Sequence, residues 1–172
     1  MRTSQLHTYK NNYKLREHQK KVLGILVKNY QKTFNGTVLD IGCAQGTFLQ
    51  HFKKKFPDSE VSGVDTSKEL IAKSKKIKIN KSTFYTKDFL NINEKYDLVF
   101  ALGVLGYYDD QLKTINKMIS LTKKKGKLFI FSHFNTMNID TRVRFRNNFN
   151  SNKWERGLNS FSLPTIKKYL TL

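Results

Sequence analysis

Three of the chain's 13 acidic residues stand where short β-rich runs stop. Asp40 is among the last residues of Thr37–Ile41, Asp65 directly follows Glu60–Val64, and Asp88 comes just after Thr83–Thr86. Against 32 Lys and Arg, acids at three successive strand ends are not what composition alone would place there. Carboxylates accept hydrogen bonds from hydroxyls and attract cations, so the implied ligand carries hydroxyls and positive charge. Between the first two acids runs Gly42-Cys43-Ala44-Gln45-Gly46. Gly42 and Gly46 permit backbone angles and a close ligand approach that a side chain would block, and Ala44 is the next smallest choice. The loop fails as a dinucleotide-binding G-x-G-x-x-G, because Ala44 replaces the second glycine and Thr47 the third. It also fails as a phosphate-cradling loop, since no Gly-Lys-Ser/Thr follows.

The surrounding pattern supplies elements to hold these residues. Over 12–32, Val22, Ile25, Leu26 and Tyr30 recur at helical spacing, and Asn35-Gly36 ends that lead-in helix. Thr37–Ile41 reads as a buried strand, and Phe48, Leu49, Phe52 and Phe56 as a helix that stops before Pro57. The unit then repeats in kind: strand Glu60–Val64, a helix from near Ser67, strand Thr83–Thr86 and strand Tyr96–Leu102. A helix over about 109–121 carries Leu112, Ile115, Met118 and Ile119, and a fifth strand, Lys127–Ser132, follows a turn at Gly126. Near-continuous apolar strands alternating with amphipathic helices predict an α/β fold, a parallel sheet with helices on both faces. Ligands bind such sheets beyond the carboxyl ends of the strands, where the three aspartates fall. Residues 133–161 break the pattern: they are polar, rich in Asn and Arg, and interleaved with Phe134, Phe145, Phe149 and Trp154 without a period. A stretch of that kind is expected to be functional or mobile. Phe161–Pro164 opens a last helix with Ile166, Tyr169 and Leu170 on one face.

Val38-Leu39-Asp40-Ile41-Gly42-Cys43-Ala44-Gln45-Gly46 resembles the first motif of the class I S-adenosylmethionine methyltransferases, acid-x-Gly-x-Gly-x-Gly, with Ala44 at one glycine. Val64-Asp65-Thr66-Ser67 resembles the second motif, Asp88-Phe89 the adenine-contacting pair, and Tyr96 through Leu105 the fourth motif. Each is a weak pattern, but four in register over residues 38–105 are strong together. The resemblance implies a Rossmann-like sheet and S-adenosylmethionine as cofactor. It assigns cofactor contacts to Asp40, Gly42, Cys43, Ala44, Gly46, Asp65, Thr66, Asp88, Phe89, Leu102 and Gly103. Asp65 would hold the ribose hydroxyls, and the fourth motif would flank the methionine moiety. Tyr9 and Tyr13 would close over the cofactor, and Cys43 would serve as a small packing residue rather than a nucleophile. The family's sheet continues through a sixth and a seventh strand, which this chain is expected to lack. An open sheet edge of that kind favours an oligomer. The chain reads as one methyltransferase domain, 1–172: a helical lead-in over 1–35, a cofactor-binding core over 36–132, and an acceptor-side segment with the last helix over 133–172.

Methyl transfer from a sulfonium is a displacement, and alignment of the reactants alone supplies on the order of several kcal/mol, so a dedicated base is not required. His133, after the fifth strand, is a candidate base, and Tyr107 and Tyr108, after the fourth, are candidates for the acceptor pocket. The Asn/Asp-Pro-Pro-Tyr/Phe motif of amino-methylating DNA enzymes is absent after the fourth strand, where the chain reads Leu102-Gly103-Val104-Leu105-Gly106. That resembles stand-alone bacterial enzymes acting on small molecules or sugars, with Trp154–Ser162 on the acceptor side. The formal charge of +19 keeps tRNA or rRNA as an alternative acceptor, and a catalytically incomplete subunit is a third possibility. No apolar run approaches the ~18 residues of a membrane helix, Met1–Lys10 lacks a secretory apolar region, and Cys43 is the only cysteine. These features point to a cytoplasmic enzyme with no membrane partner and no metal site.

Overall fold

Strand β1, Thr37–Ile41, sits at the centre of a parallel sheet because both its faces are apolar and both its edges are paired. The computed structural model describes residues 14–31, 33–146 and 153–170. Within them, β2 is Glu60–Asp65, β3 Ser82–Thr86, β4 Tyr96–Leu102 and β5 Thr122–Phe131. Their order is β3-β2-β1-β4-β5, every pair parallel, so the chain reverses direction across the sheet between β1 and β4. Such a reversal opens a crevice at the carboxyl ends. The helices are α1 Glu17–Tyr30, α2 Thr47–Lys55, α3 Lys68–Lys76, α4 Gln111–Ser120 and α5 Leu163–Leu170.

Alternation along the strands sends successive side chains to opposite faces. Val38, Leu98 and Phe100 face Leu23 and Leu26 of α1 and Phe48, Leu49 and Phe52 of α2. The rings of Phe48 and Phe100 meet edge to face with centroids 5.0 Å apart. Leu39, Ile41, Val99 and Ala101 form the other face, packed with Phe89, Met118 and Leu121. Each of these large apolar side chains, fully buried, contributes about 1.5–3 kcal/mol. Asp40 falls on the face of Val38, which turns its carboxyl toward α1 and α2.

Four sequence expectations need correction. Ile25 is 50% exposed, because α1 buries the line from Leu23 to Leu26, and Ile25 sits about 100° round from Leu26. In α4, Thr114, Ile115 and Met118 turn inward, while Leu112 and Ile119 are 38% and 42% exposed. Strand β5 starts at Thr122 rather than Lys127; Gly126 sits inside a register shift where a Cβ would meet the Asp97 carbonyl at 2.8 Å. The stretch 133–161 is not wholly irregular. Two-residue strands pair as β6 (Phe134–Asn135) with β9 (Phe161–Ser162) and β7 (Arg144–Phe145) with β8 (Glu155–Arg156). A bridge links Thr141 to Ser160.

Candidate functional site

The turn from β1 into α2 exists because three of its residues accept left-handed backbone angles: Gly42 at φ 70°, Ala44 at 50° and Gly46 at 80°. A side chain at Gly42 would collide with Val104 Cγ2, and one at Gly46 would meet the Phe84 ring at 3.1 Å. Ala44 adopts such an angle with a Cβ, at a cost of roughly 1–2 kcal/mol. The turn is tied to the second strand through Gly42 N and Cys43 N, which donate to the Val64 carbonyl at 2.8 and 3.1 Å.

Asp65 completes that attachment. Its Oδ2 accepts from Ala44 N at 3.0 Å and its Oδ1 from Ser67 N at 2.8 Å, in a buried position. A carboxylate has about four lone-pair sites, so both oxygens retain acceptor capacity for a ligand. Ser67 then caps α3, its hydroxyl accepting from Leu70 N at 3.3 Å. Asp88 starts a short 3-10 turn, Phe89–Asn91, and its Oδ1 accepts from Leu90 N at 3.0 Å. The same oxygen accepts the Tyr108 hydroxyl at 3.0 Å, and the Tyr108 ring stands edge-on to Phe89 at 5.3 Å. Burial, with the charges of Asp88 and Asp65 nearby, pushes the Tyr108 hydroxyl well above its ordinary value.

The first aspartate differs from the other two. Asp40 is 4% exposed, and burial followed by the Asp65 charge pushes its carboxyl well above the usual range. A buried acid with another acid as neighbour favours any ligand that brings positive charge. Cys43 is buried too; burial, then the charges of Asp40 and Asp65, push its thiol up, which makes it an inert packing residue. It also accounts for Gly63, where a Cβ would meet Cys43 Sγ at 2.7 Å.

The three aspartates surround two adjoining hollows. One is a cleft of about 320 Å³ lined by Asp65, Thr66, Asp88, Phe89, Gly103 and Tyr107 among others. The other, about 40 Å³, lies toward α1 between Arg16, Gln19, Asp40 and Thr47. Gly42 and Leu102 line both. Gly46 supports the turn from behind, as N-cap of α2. His133 is exposed and outside the cleft; its carbonyl accepts from Phe161 N at 3.1 Å. Tyr9 and Tyr13 lie outside the described residues. Not anticipated from sequence were the second task of Asp65 in pinning the turn and the Tyr108–Asp88 bond, whereas Arg156, which lines the cleft, falls within the stretch Trp154–Ser162 expected on the acceptor side. The partners of the first two bonds stand 21 and 20 residues apart, with no motif linking them.

A family model described as a methyltransferase domain matches residues 15–171. The chain belongs to the class I S-adenosylmethionine-dependent methyltransferases. The chain is 33% identical over 132 residues to malonyl-[acyl-carrier protein] O-methyltransferase 1 of Ilyobacter polytropus, covering 74% of this chain and 48% of that protein. A second protein of that name and organism is 29% identical over 170 residues, 95% of this chain and 63% of the relative. The chain thus spans about half to two thirds of the length of these relatives. The plantazolicin methyltransferase BpumL in complex with S-adenosylhomocysteine superposes with a TM-score of 0.58 at 22% identity, covering 73% of this chain and 49% of that one. Magnesium protoporphyrin IX methyltransferase from Synechocystis, with the same product bound, gives 0.59 at 22% identity over 70% and 64% of the two chains. Both share the fold. Among the described residues no helix is long and apolar enough to cross a membrane, and no cluster could hold a metal ion.

Proposed function

We propose that the chain binds S-adenosylmethionine across the two hollows and transfers its methyl group to an oxygen of a small acid, free or borne on a carrier protein. The observation that carries the cofactor placement is the trio of carboxylates around a left-handed turn, one of them, Asp40, buried beside another acid. The spare acceptor sites of Asp65 suit the ribose hydroxyls, and Asp88 with Phe89 suits the adenine. Gly42, Cys43 and Ala44 supply the close-approach wall, braced from behind by Gly46, with Thr66, Leu102 and Gly103 beside it. Asp40 faces the cationic end. When bound, S-adenosylmethionine supplies an electrophilic methyl group on a positively charged sulfur. The chain's task is then to align it with the acceptor and exclude water.

Two observations support an acid as acceptor. The Ilyobacter relatives are named as O-methyltransferases of a malonyl group. In addition, no histidine lines the cleft among the described residues, and a carboxylate, already ionised near neutral pH, needs no base. Tyr107 lines the cleft after β4, where it can contact the acceptor. The +19 charge attracts any anionic acceptor and is the one feature that favours RNA instead. Labelled-methyl transfer separates the two when extract is fractionated into RNA and small acids. Label in the acid fraction, with an acceptor KM that changes little with salt, is the expected result. Label confined to RNA, with a steep salt dependence, overturns the acceptor assignment.

A further inference from the structure

The turn after β4 is held from outside the sheet by side chains of the C-terminal segment, Asn159 foremost. Asn159 is 0% exposed. Its backbone N–H donates to the Gly106 carbonyl at 2.8 Å, and its Nδ2 donates to the Tyr108 carbonyl at 3.1 Å and to Asp109 Oδ1 at 3.2 Å. Its Oδ1 accepts from Val143 N at 3.0 Å. The fit leaves no spare room, since a Cβ on Gly106 would meet Leu158 Cδ1 at 2.7 Å and the Asn159 carbonyl at 2.9 Å. A buried amide bonded on every side has one geometry available to it, and both groups on its Nδ2 lead to the cleft. Tyr108, whose carbonyl it holds, reaches Asp88 with its hydroxyl. Asp109 pairs with Arg144 at 2.9 Å and with Arg156 at 3.2 Å, and Arg156 lines the cleft.

We propose that Asn159 is a positioning residue for methyl transfer: it fixes Tyr108 so that Asp88 presents a set orientation to the cofactor, and fixes Asp109 so that Arg156 stays at the rim. This rests on the placement of the cofactor against Asp88 proposed above. Both bonds that Asp88 receives fall on Oδ1, which leaves Oδ2 for the ligand. Losing the tyrosine bond frees the carboxylate to rotate, and holding one such side chain on binding accounts for about two- to tenfold in affinity.

The test is calorimetric titration of S-adenosylhomocysteine into the full chain carrying Tyr108→Phe, Asn159→Ala, both together, or Asp88→Ala. Each of the first two is expected to weaken binding by about two- to tenfold, and the double variant by no more than the weaker-binding single. A purely structural asparagine would lower the melting temperature without changing affinity, or its effect would multiply with that of Tyr108→Phe. Either result overturns the proposal. Should Asn159→Ala fail to fold, Asn159→Asp, which keeps the shape and loses both amide donations, takes its place under the same criteria. Wild-type binding by folded Asp88→Ala overturns the cofactor placement, and the inference with it. Weakened binding there combined with multiplying effects overturns the role of Asn159 alone.

Discussion

Replacing Asp65 by alanine removes two things at once, and the geometry separates them. In the free protein the carboxylate receives Ala44 N at 3.0 Å and Ser67 N at 2.8 Å. Hydrogen bonds to a charged group contribute about 1.5–3 kcal/mol each, so the gross loss of folding stability is about 3–6 kcal/mol. Part of it is recovered, because the Asp65 charge no longer acts on Asp40. The proposed ribose bonds are of the same kind, and the loss of either weakens S-adenosylhomocysteine by at least about tenfold, 1.4 kcal/mol being one decade. Asp65→Asn keeps the shape and one acceptor oxygen, and is expected to lie between alanine and wild type in both respects. Calorimetry at a temperature where circular dichroism shows each variant folded gives the affinity, and urea titration gives the stability. Wild-type affinity in a folded variant of reduced stability would refute the ligand role, leaving Asp65 only to pin the turn.

The other perturbations act on single features. Ala44→Gly relieves a left-handed angle at a Cβ-bearing residue, so stability is expected to be unchanged or to rise by up to about 1 kcal/mol by urea titration; a clear loss would contradict the strain. Because burial raises the Asp40 carboxyl, the folded state holds a proton there that the unfolded state gives up; stability therefore falls as pH rises from the usual carboxylate range through the raised value. Asp40→Asn should remove that decline and exceed wild type in urea midpoint at the upper end of the window, and parallel pH profiles would count against it. Phe100→Ala should cost about 3–5 kcal/mol, since the ring is 0% exposed and packs on Phe48 and Phe129; a loss under 1 kcal/mol would mean the core refills there.

Much of the framework was legible from the order of residue types. Strands β1 to β4 are short apolar runs bounded by turn residues, and they emerge within a residue or so of their expected limits. The carboxylates end up around one crevice because parallel strands put all their carboxyl ends on one side. Helix faces were less legible: Ile25, Leu112 and Ile119 fit an apolar stripe by spacing, yet the sheet covers only part of each stripe. The C-terminal segment was opaque for another reason. Its strands are two residues long, too short to show a period, and its order comes from Asn159 reaching Tyr108 across 51 positions. His133 shows the limit of position as a guide: it follows β5 directly, but it stands exposed beside β6, outside the cleft.

Backbone amide shifts on titration with S-adenosylhomocysteine test most directly where the cofactor sits. The amides of Gly42, Ala44, Thr66, Phe89 and Gly103 should move together and saturate at one concentration, while those of Lys54, Ile79 and Asn80, at the opposite end of the sheet, stay still. Saturating shifts at the opposite end with the glycine turn unmoved, or no shifts in the folded protein, would contradict the cofactor placement.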